Sequence, residues 1–286
     1  MAKRTTTASV ARTIALSVVL GVGIIDLYWA VTGWTMSDAG AYWSAALRLR
    51  EGADLYPAVG NVDASQVYRY APWFAWLAVP FTYLPAQVAG VIWSAVLLGA
   101  SGTALIPLVR ARAWLLVAFF LPILVGISAV GNVQALMIAG LVHGLERRSG
   151  PFWIAIAASL KIFPILLVVV YAGRREWLRV ASTLAVAALL WAPALLYDLS
   201  GYPVDAGQAA SLVSIPAAWG LVVGGALLAS LWLARSEFGW LAAATSVTLA
   251  LPRLFVYDVT YLMLGFPGHR SAEGRDSSTA TTRKAR

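Results

Sequence analysis

Few side chains in this sequence could do chemistry. Asp38 follows almost directly on an apolar run from about residue 13 to 33. A carboxylate there stands at the mouth of any cavity the apolar segments enclose, where it can take a proton from an incoming hydroxyl, a role typically worth about 10²- to 10⁴-fold in rate. Ser37 and Asp38 also suit the start of a following helix as capping residues, so position alone leaves both readings open. Lys161 lies within an apolar stretch of about 22 residues, and ionisable groups in such stretches are costly in lipid and mark function by default. An ammonium near an external cavity suits a phosphate, although a lysine can also snorkel to an interface. Asp26, inside the first apolar run, reads better as a helix-packing hydrogen bond, and His143, beside Glu146, as a structural group.

Several chemistries have no residues to carry them. The chain has no cysteine, and its two histidines stand far apart at 143 and 269. Disulfides, thiolate metal sites and a His-rich metal constellation are therefore excluded. No phosphate-binding loop of the Walker type and no dinucleotide fingerprint occurs. A substrate handled by this chain must arrive already activated, because nothing here drives chemistry by nucleotide hydrolysis.

The elements that must position these residues are membrane segments. Sixty per cent of the 286 residues are apolar and 12% charged, against roughly 25% charged in a soluble domain, and apolar runs approach the roughly 20 residues that cross about 30 Å of hydrocarbon. The net charge of +8 is gathered in short connections and termini: Lys3 to Arg12, Arg110 and Arg112, Arg147 and Arg148, Arg174 to Arg179, Arg235, and the tail from Arg270. That is the positive-inside pattern of cytoplasmic loops, not a nucleic-acid footprint.

Keeping every basic cluster on one side fixes a topology. Residues 1–11 form a cytoplasmic N-terminus, 12–267 the membrane domain and 268–286 a disordered cytoplasmic tail. Segments 12–33, 87–109, 113–129, 133–145, 177–197, 211–234, 238–251 and 254–267 are expected to cross. The external connection 34–70 carries a juxtamembrane helix over 39–49, bounded by Gly52 and Pro57. Segment 72–84 is expected to be half-inserted, and 151–172 a broken re-entrant hairpin with Lys161 near its tip. Promoting both of these to crossings gives ten, so the expected class is an all-α polytopic bundle of about eight to ten spans. No internal repeat is visible in the sequence.

On these residues the chain resembles glycosyltransferase family 87: Asp38 and Tyr42, then Gly52-Ala53-Asp54-Leu55-Tyr56-Pro57, Tyr68-Arg69-Tyr70-Ala71-Pro72, Gly131-Asn132, Ser159-Leu160-Lys161-Ile162-Phe163-Pro164, and Pro252-Arg253 with Tyr257-Asp258. The resemblance runs from about residue 12 to 266. It implies the GT-C membrane fold and transfer of a hexose, mannose first, from a polyprenyl-phosphate sugar donor to a glycolipid or glycan acceptor on the external face, by inversion.

The acidic residue after the first span, Asp38, would be the base. Lys161, Arg69 and Arg253 are candidates for the donor phosphate, where fixed positive charge stabilises developing negative charge. Tyr42, Tyr70, Asn132 and Asp258 are candidates for sugar or acceptor. No cofactor is expected, and a divalent metal beside Asp38 and Asp258 is the less favoured option. The partners are membrane lipids, donor and acceptor, with no nucleic acid. The alternatives from other classes are a lipid or solute transporter or flippase, for which midplane sites and repeats are the usual signs, and an inactive, truncated membrane scaffold.

Overall fold

The computed structural model describes residues 37–61, 64, 67–202 and 211–266. The expected first span, Asp26 and the tail lie outside the described residues. Within them the chain is all-α, a membrane protein with no strand. In chain order come α1 (Ser37–Glu51), α2 (Pro72–Ala78), α3 (Ala86–Arg110), α4 (Trp114–Ala129), α5 (Gln134–Gly144), α6 (Gly150–Leu160), α7 (Val168–Gly173), α8 (Trp177–Trp191), α9 (Pro216–Leu233) and α10 (Gly239–Ala250). Tighter 3₁₀ pieces follow α2 (Val79–Tyr83), precede α7 (Phe163–Leu167), extend α8 (Ala192–Leu196), precede α9 (Leu212–Ser214) and close the described chain (Val256–Gly265).

Helix length sorts these elements into two kinds. α3, α8 with its extension, and α9 are long and apolar enough to cross a membrane. α8 and α9 turn large apolar side chains outward, including Leu178, Leu189, Leu221, Leu228 and Trp232, as a surface facing lipid must. By contrast α5 and α6 have eleven residues and α10 twelve. At 1.5 Å per residue they reach about 16–18 Å, short of the roughly 30 Å of hydrocarbon. The full crossings expected at 133–145 and 238–251 are thus partial as helices, and 254–267 returns as a 3₁₀ run that brings Gly265 against Leu241.

The hairpin expected at 151–172 is present, and its break is explained locally. Lys161 leaves α6 in an extended conformation (φ −139°, ψ 117°), as suits a helix end shortly before Pro164. The two arms then return to one level: the Tyr171 hydroxyl donates to the Leu145 carbonyl at 2.6 Å, and Arg174 pairs with Glu146 at 2.9 Å. Arg174 Nε also donates to the Ala234 carbonyl and Trp240 Nε1 to Glu146. The connections at 145–149, 174–176 and 234–238 therefore share one end of the bundle, with their arginines, while Lys161 lies at the other.

Two turns at that basic end are built alike although the sequence shows no repeat. Arg112 and Arg175 sit in the left-handed region (φ 57° and 63°), each two residues before a helix-opening tryptophan. In each, the next N–H reaches back to a carbonyl of the preceding helix, Ala113 to Leu108 and Glu176 to Tyr171, which satisfies helix-end acceptors. Segment 72–84 is a seven-residue helix plus a 3₁₀ turn, as short as expected. Arg50, near the end of α1, donates to the Thr82 carbonyl at 2.8 Å, tying α1 to that segment.

Candidate active site

The turn between α4 and α5 forms one wall of the site. Gly131 has φ +79°, and a Cβ added there would stand 2.5 Å from the Ala39 Cβ. Glycine thus meets both the backbone and the close approach of α1. The Asp38 N–H donates to the Val130 carbonyl at 3.1 Å, and Trp93 Nε1 donates to the Gly131 carbonyl at 2.8 Å. Asn132 then takes a defined orientation. Its Oδ1 accepts the Gln134 N–H at 2.8 Å, which leaves the amide nitrogen to donate, and it does so to Asp38 Oδ2 at 2.9 Å. Burial raises the Asp38 carboxylate above its ordinary range, while the Asn132 hydrogen bond and the charges of Lys161 and Arg69 pull it down.

The opposite wall joins the hairpin tip to the segment after α10. Lys161 Nζ lies 3.4 Å from Asp258 Oδ1 and 4.5 Å above the Tyr257 ring. Asp258, 1% exposed, also accepts the Phe255 N–H at 2.9 Å through Oδ2, capping the last 3₁₀ helix. Phe255 and Tyr257 stack with centroids 5.2 Å apart, and the Arg253 guanidinium lies 5.5 Å over Phe255.

Between these walls is a cavity of about 1240 Å³. Its polar lining includes Asp38, Arg69, Tyr70, Asn132, Lys161, Arg253 and Asp258, and its apolar lining comes from Pro122, Ile123, Gly126 and Ile127 of α4 together with Phe163, Pro216 and Trp219. A polar end with both signs of charge beside an apolar flank suits a ligand with an anionic head and a hydrocarbon tail. Seven of the eight residues singled out in the sequence reach this one cavity.

Tyr42 is the eighth, and it stands behind the lining. It is 4% exposed, donates to the Tyr70 hydroxyl at 3.1 Å and accepts the Val133 N–H at 3.2 Å. Packed edge-on to Tyr70 with centroids 5.0 Å apart, it supports that ring and does not itself reach the cavity. Asp258 lines the cavity, and each of its oxygens meets a protein group, Oδ1 the Lys161 ammonium and Oδ2 the Phe255 N–H. Phe255, Tyr257 and Trp219 also line the cavity and are not among the sequence candidates. A signal available in the sequence for two of them is their closeness to a basic residue, in Arg253-Leu254-Phe255-Val256-Tyr257. Among the described residues, no group of three or more His, Cys, Asp or Glu side chains comes together.

Comparison with family models gives a match over part of the chain. The family model described as Glycosyltransferase family 87 matches residues 68–203. That segment holds Arg69, Tyr70, Asn132 and Lys161 but ends before Arg253 and begins after Asp38. No curated protein and no solved structure matches the chain.

Proposed function

We propose that this protein is a membrane glycosyltransferase that moves a hexose, mannose in the first instance, from a polyprenyl-phosphate sugar to a glycolipid or glycan acceptor. The family match over 68–203 supports the class of activity. The observation that carries the reading is the convergence on one cavity of a hydrogen-bonded carboxylate, Asp38, and three cations, Lys161, Arg69 and Arg253.

The chemistry needs one base. The acceptor oxygen attacks the anomeric carbon from the face opposite the phosphate, and the new glycosidic C–O bond forms as the bond from that carbon to the phosphate oxygen breaks. The bonding electrons leave with polyprenyl phosphate, the acceptor proton passes to Asp38, and single displacement inverts the anomeric centre. A phosphate leaves without a general acid, so a second catalytic carboxylate of the glycosidase kind is not required. Fixed cations hold the leaving charge, and Tyr70 and Asn132 border the space for the sugar. On this reading the protein is a GT-C-like enzyme that works on the external face, with both termini in the cytoplasm. The gathering of arginines at the opposite end supports that orientation.

The test is direct. Purified protein in lipid nanodiscs, given a polyprenyl-phosphate hexose and membrane glycolipids, is expected to release polyprenyl phosphate and yield a glycosylated product of inverted configuration. Movement of the intact donor across sealed vesicles without release of polyprenyl phosphate would instead establish a flippase.

A further inference from the structure

The proposed function leaves Asp258 and Tyr257 without a task, and their geometry supplies one. We infer that Asp258 and Tyr257 are positioning residues that hold the Lys161 ammonium in place for the donor phosphate, and that Asp258 does not contact the sugar. The inference rests on the reading of the cavity as a polyprenyl-phosphate site.

Lys161 ends a helix in extended backbone, so its own segment does little to direct a long, flexible side chain. Two groups from nearly one hundred residues away do so. Asp258 Oδ1 lies 3.4 Å from the ammonium, and Tyr257 presents its ring face at 4.5 Å. Both come from one short 3₁₀ turn whose start is fixed by the other Asp258 oxygen on the Phe255 N–H. One carboxylate therefore sets the turn and the lysine together.

Chemistry separates this role from sugar binding. A carboxylate that orients sugar hydroxyls must keep an oxygen lone pair facing the ligand. Asp258 borders the cavity but is only 1% exposed, and each oxygen already meets one protein group, an ammonium or a backbone N–H. An ammonium has three protons to give, and the Lys161 side chain is 17% exposed on the cavity. Of the pair, the lysine is the member placed to meet a ligand. Tyr257 extends the arrangement through its stack with Phe255 to Arg253, so the two cations rest on different rings of one aromatic pair.

The probe is undecaprenyl phosphate carrying no sugar, its binding to the full chain measured in nanodiscs. Asp258→Asn is expected to weaken that binding about tenfold, because the lysine loses the group that holds it toward the phosphate. Lys161→Gln should weaken it similarly, and the double variant should lose no more than the worse single change, the mark of residues acting as a unit. Asp258→Glu should recover part of the loss, and Tyr257→Leu should weaken binding while leaving the turn's cap in place. If Asp258→Asn disrupts folding, the Asp258→Glu and Tyr257→Leu variants carry the test, and normal binding by Tyr257→Leu would then overturn the inference. Unchanged binding of the sugar-free lipid by a folded Asp258→Asn, with weaker binding only of the glycosylated donor, would return Asp258 to the sugar. Failure of the wild-type chain to bind undecaprenyl phosphate at all would instead overturn the donor reading on which the inference rests.

Discussion

The two ends of the bundle use the same kind of constellation for different purposes. At the basic end Arg174 meets a carboxylate and an aromatic ring, Glu146 and Trp240; at the cavity end Lys161 meets Asp258 and Tyr257. The difference lies in what is left over. All three guanidinium nitrogens of Arg174 are engaged, two on Glu146 in a bidentate pair and one on the Ala234 carbonyl, a geometry that fixes orientation. The ammonium of Lys161 borders open volume and faces one carboxylate at a longer 3.4 Å. A charge cluster whose donors are spent on protein groups locks turns together, whereas one with donors turned to a cavity is poised for a ligand. Intramembrane charge alone would not have told these two apart.

The largest effect that would sharpen this contrast is at Asp38. Asp38→Asn preserves size and keeps a hydrogen-bonding side chain in the first turn of α1 but removes the charge that takes up a proton. Turnover is expected to fall by about 10²- to 10⁴-fold while binding of sugar-free polyprenyl phosphate is retained. Near-native transfer by Asp38→Asn in the assay of polyprenyl phosphate release would move the base elsewhere. The cavity end would then lose the feature that sets it apart.

At the basic end the expected change is in stability and not in chemistry. Arg174→Met leaves Glu146 beside Trp240 with its cationic partner gone, so the closure between 146, 174 and 234 loses hydrogen bonds of a kind typically worth about 1.5–3 kcal/mol. A lower midpoint of thermal unfolding is expected in detergent, with the donor KM of the remaining folded protein unchanged. If Arg174→Met raises that KM while unfolding as the wild type does, the two clusters are not distinct in role.

Much of this contrast was legible in the sequence, and the remainder was hidden for identifiable reasons. The positions of the arginines gave the basic end, and Lys161 with Pro164 gave the broken hairpin, because lipid penalises both charge and unpaired backbone so strongly. Gly131-Asn132 falls between the segments expected to cross at 113–129 and 133–145, where a turn is needed, and it is one. Its second task, aiming an amide at Asp38, depends on a contact spanning 94 residues that no local pattern encodes. The ion pair of Lys161 was missed likewise, since its partner lies 97 residues away and the local flanks are apolar. Lys161→Met would bury an uncompensated Asp258, which destabilises, so Lys161→Gln and the double variant are the sounder probes. The bounds of α5 and α10 lie within one residue of the segments expected at 133–145 and 238–251, but apolar composition reports burial and does not tell a full span from a short helix beside a cavity.

The smallest expected effect concerns the hydrogen bond from Asn132 to Asp38, and its sign follows from the forces on that carboxylate. Burial favours the protonated form, while the Asn132 amide and the charges of Lys161 and Arg69 favour the ionised one. The balance is a value raised above the ordinary aspartate range. The proton is then held more tightly in the folded protein than in the unfolded chain, so this group's contribution to stability is present at low pH and lost as pH rises through the folded value. Activity runs the other way, because only the ionised carboxylate accepts a proton, and kcat/KM should rise with pH along an acid limb set by Asp38. Asn132→Ala removes one stabiliser of the ionised form and leaves burial in place, so that limb is expected to move to still higher pH, with the rate approaching the wild-type plateau in alkaline buffer. Asn132→Asp adds a second negative charge beside the first and should move it further. A pH profile in which Asn132→Ala lowers the rate equally at every pH would show that the amide acts on substrate and not on Asp38. A limb displaced to lower pH would contradict the hydrogen-bond direction fixed by Gln134.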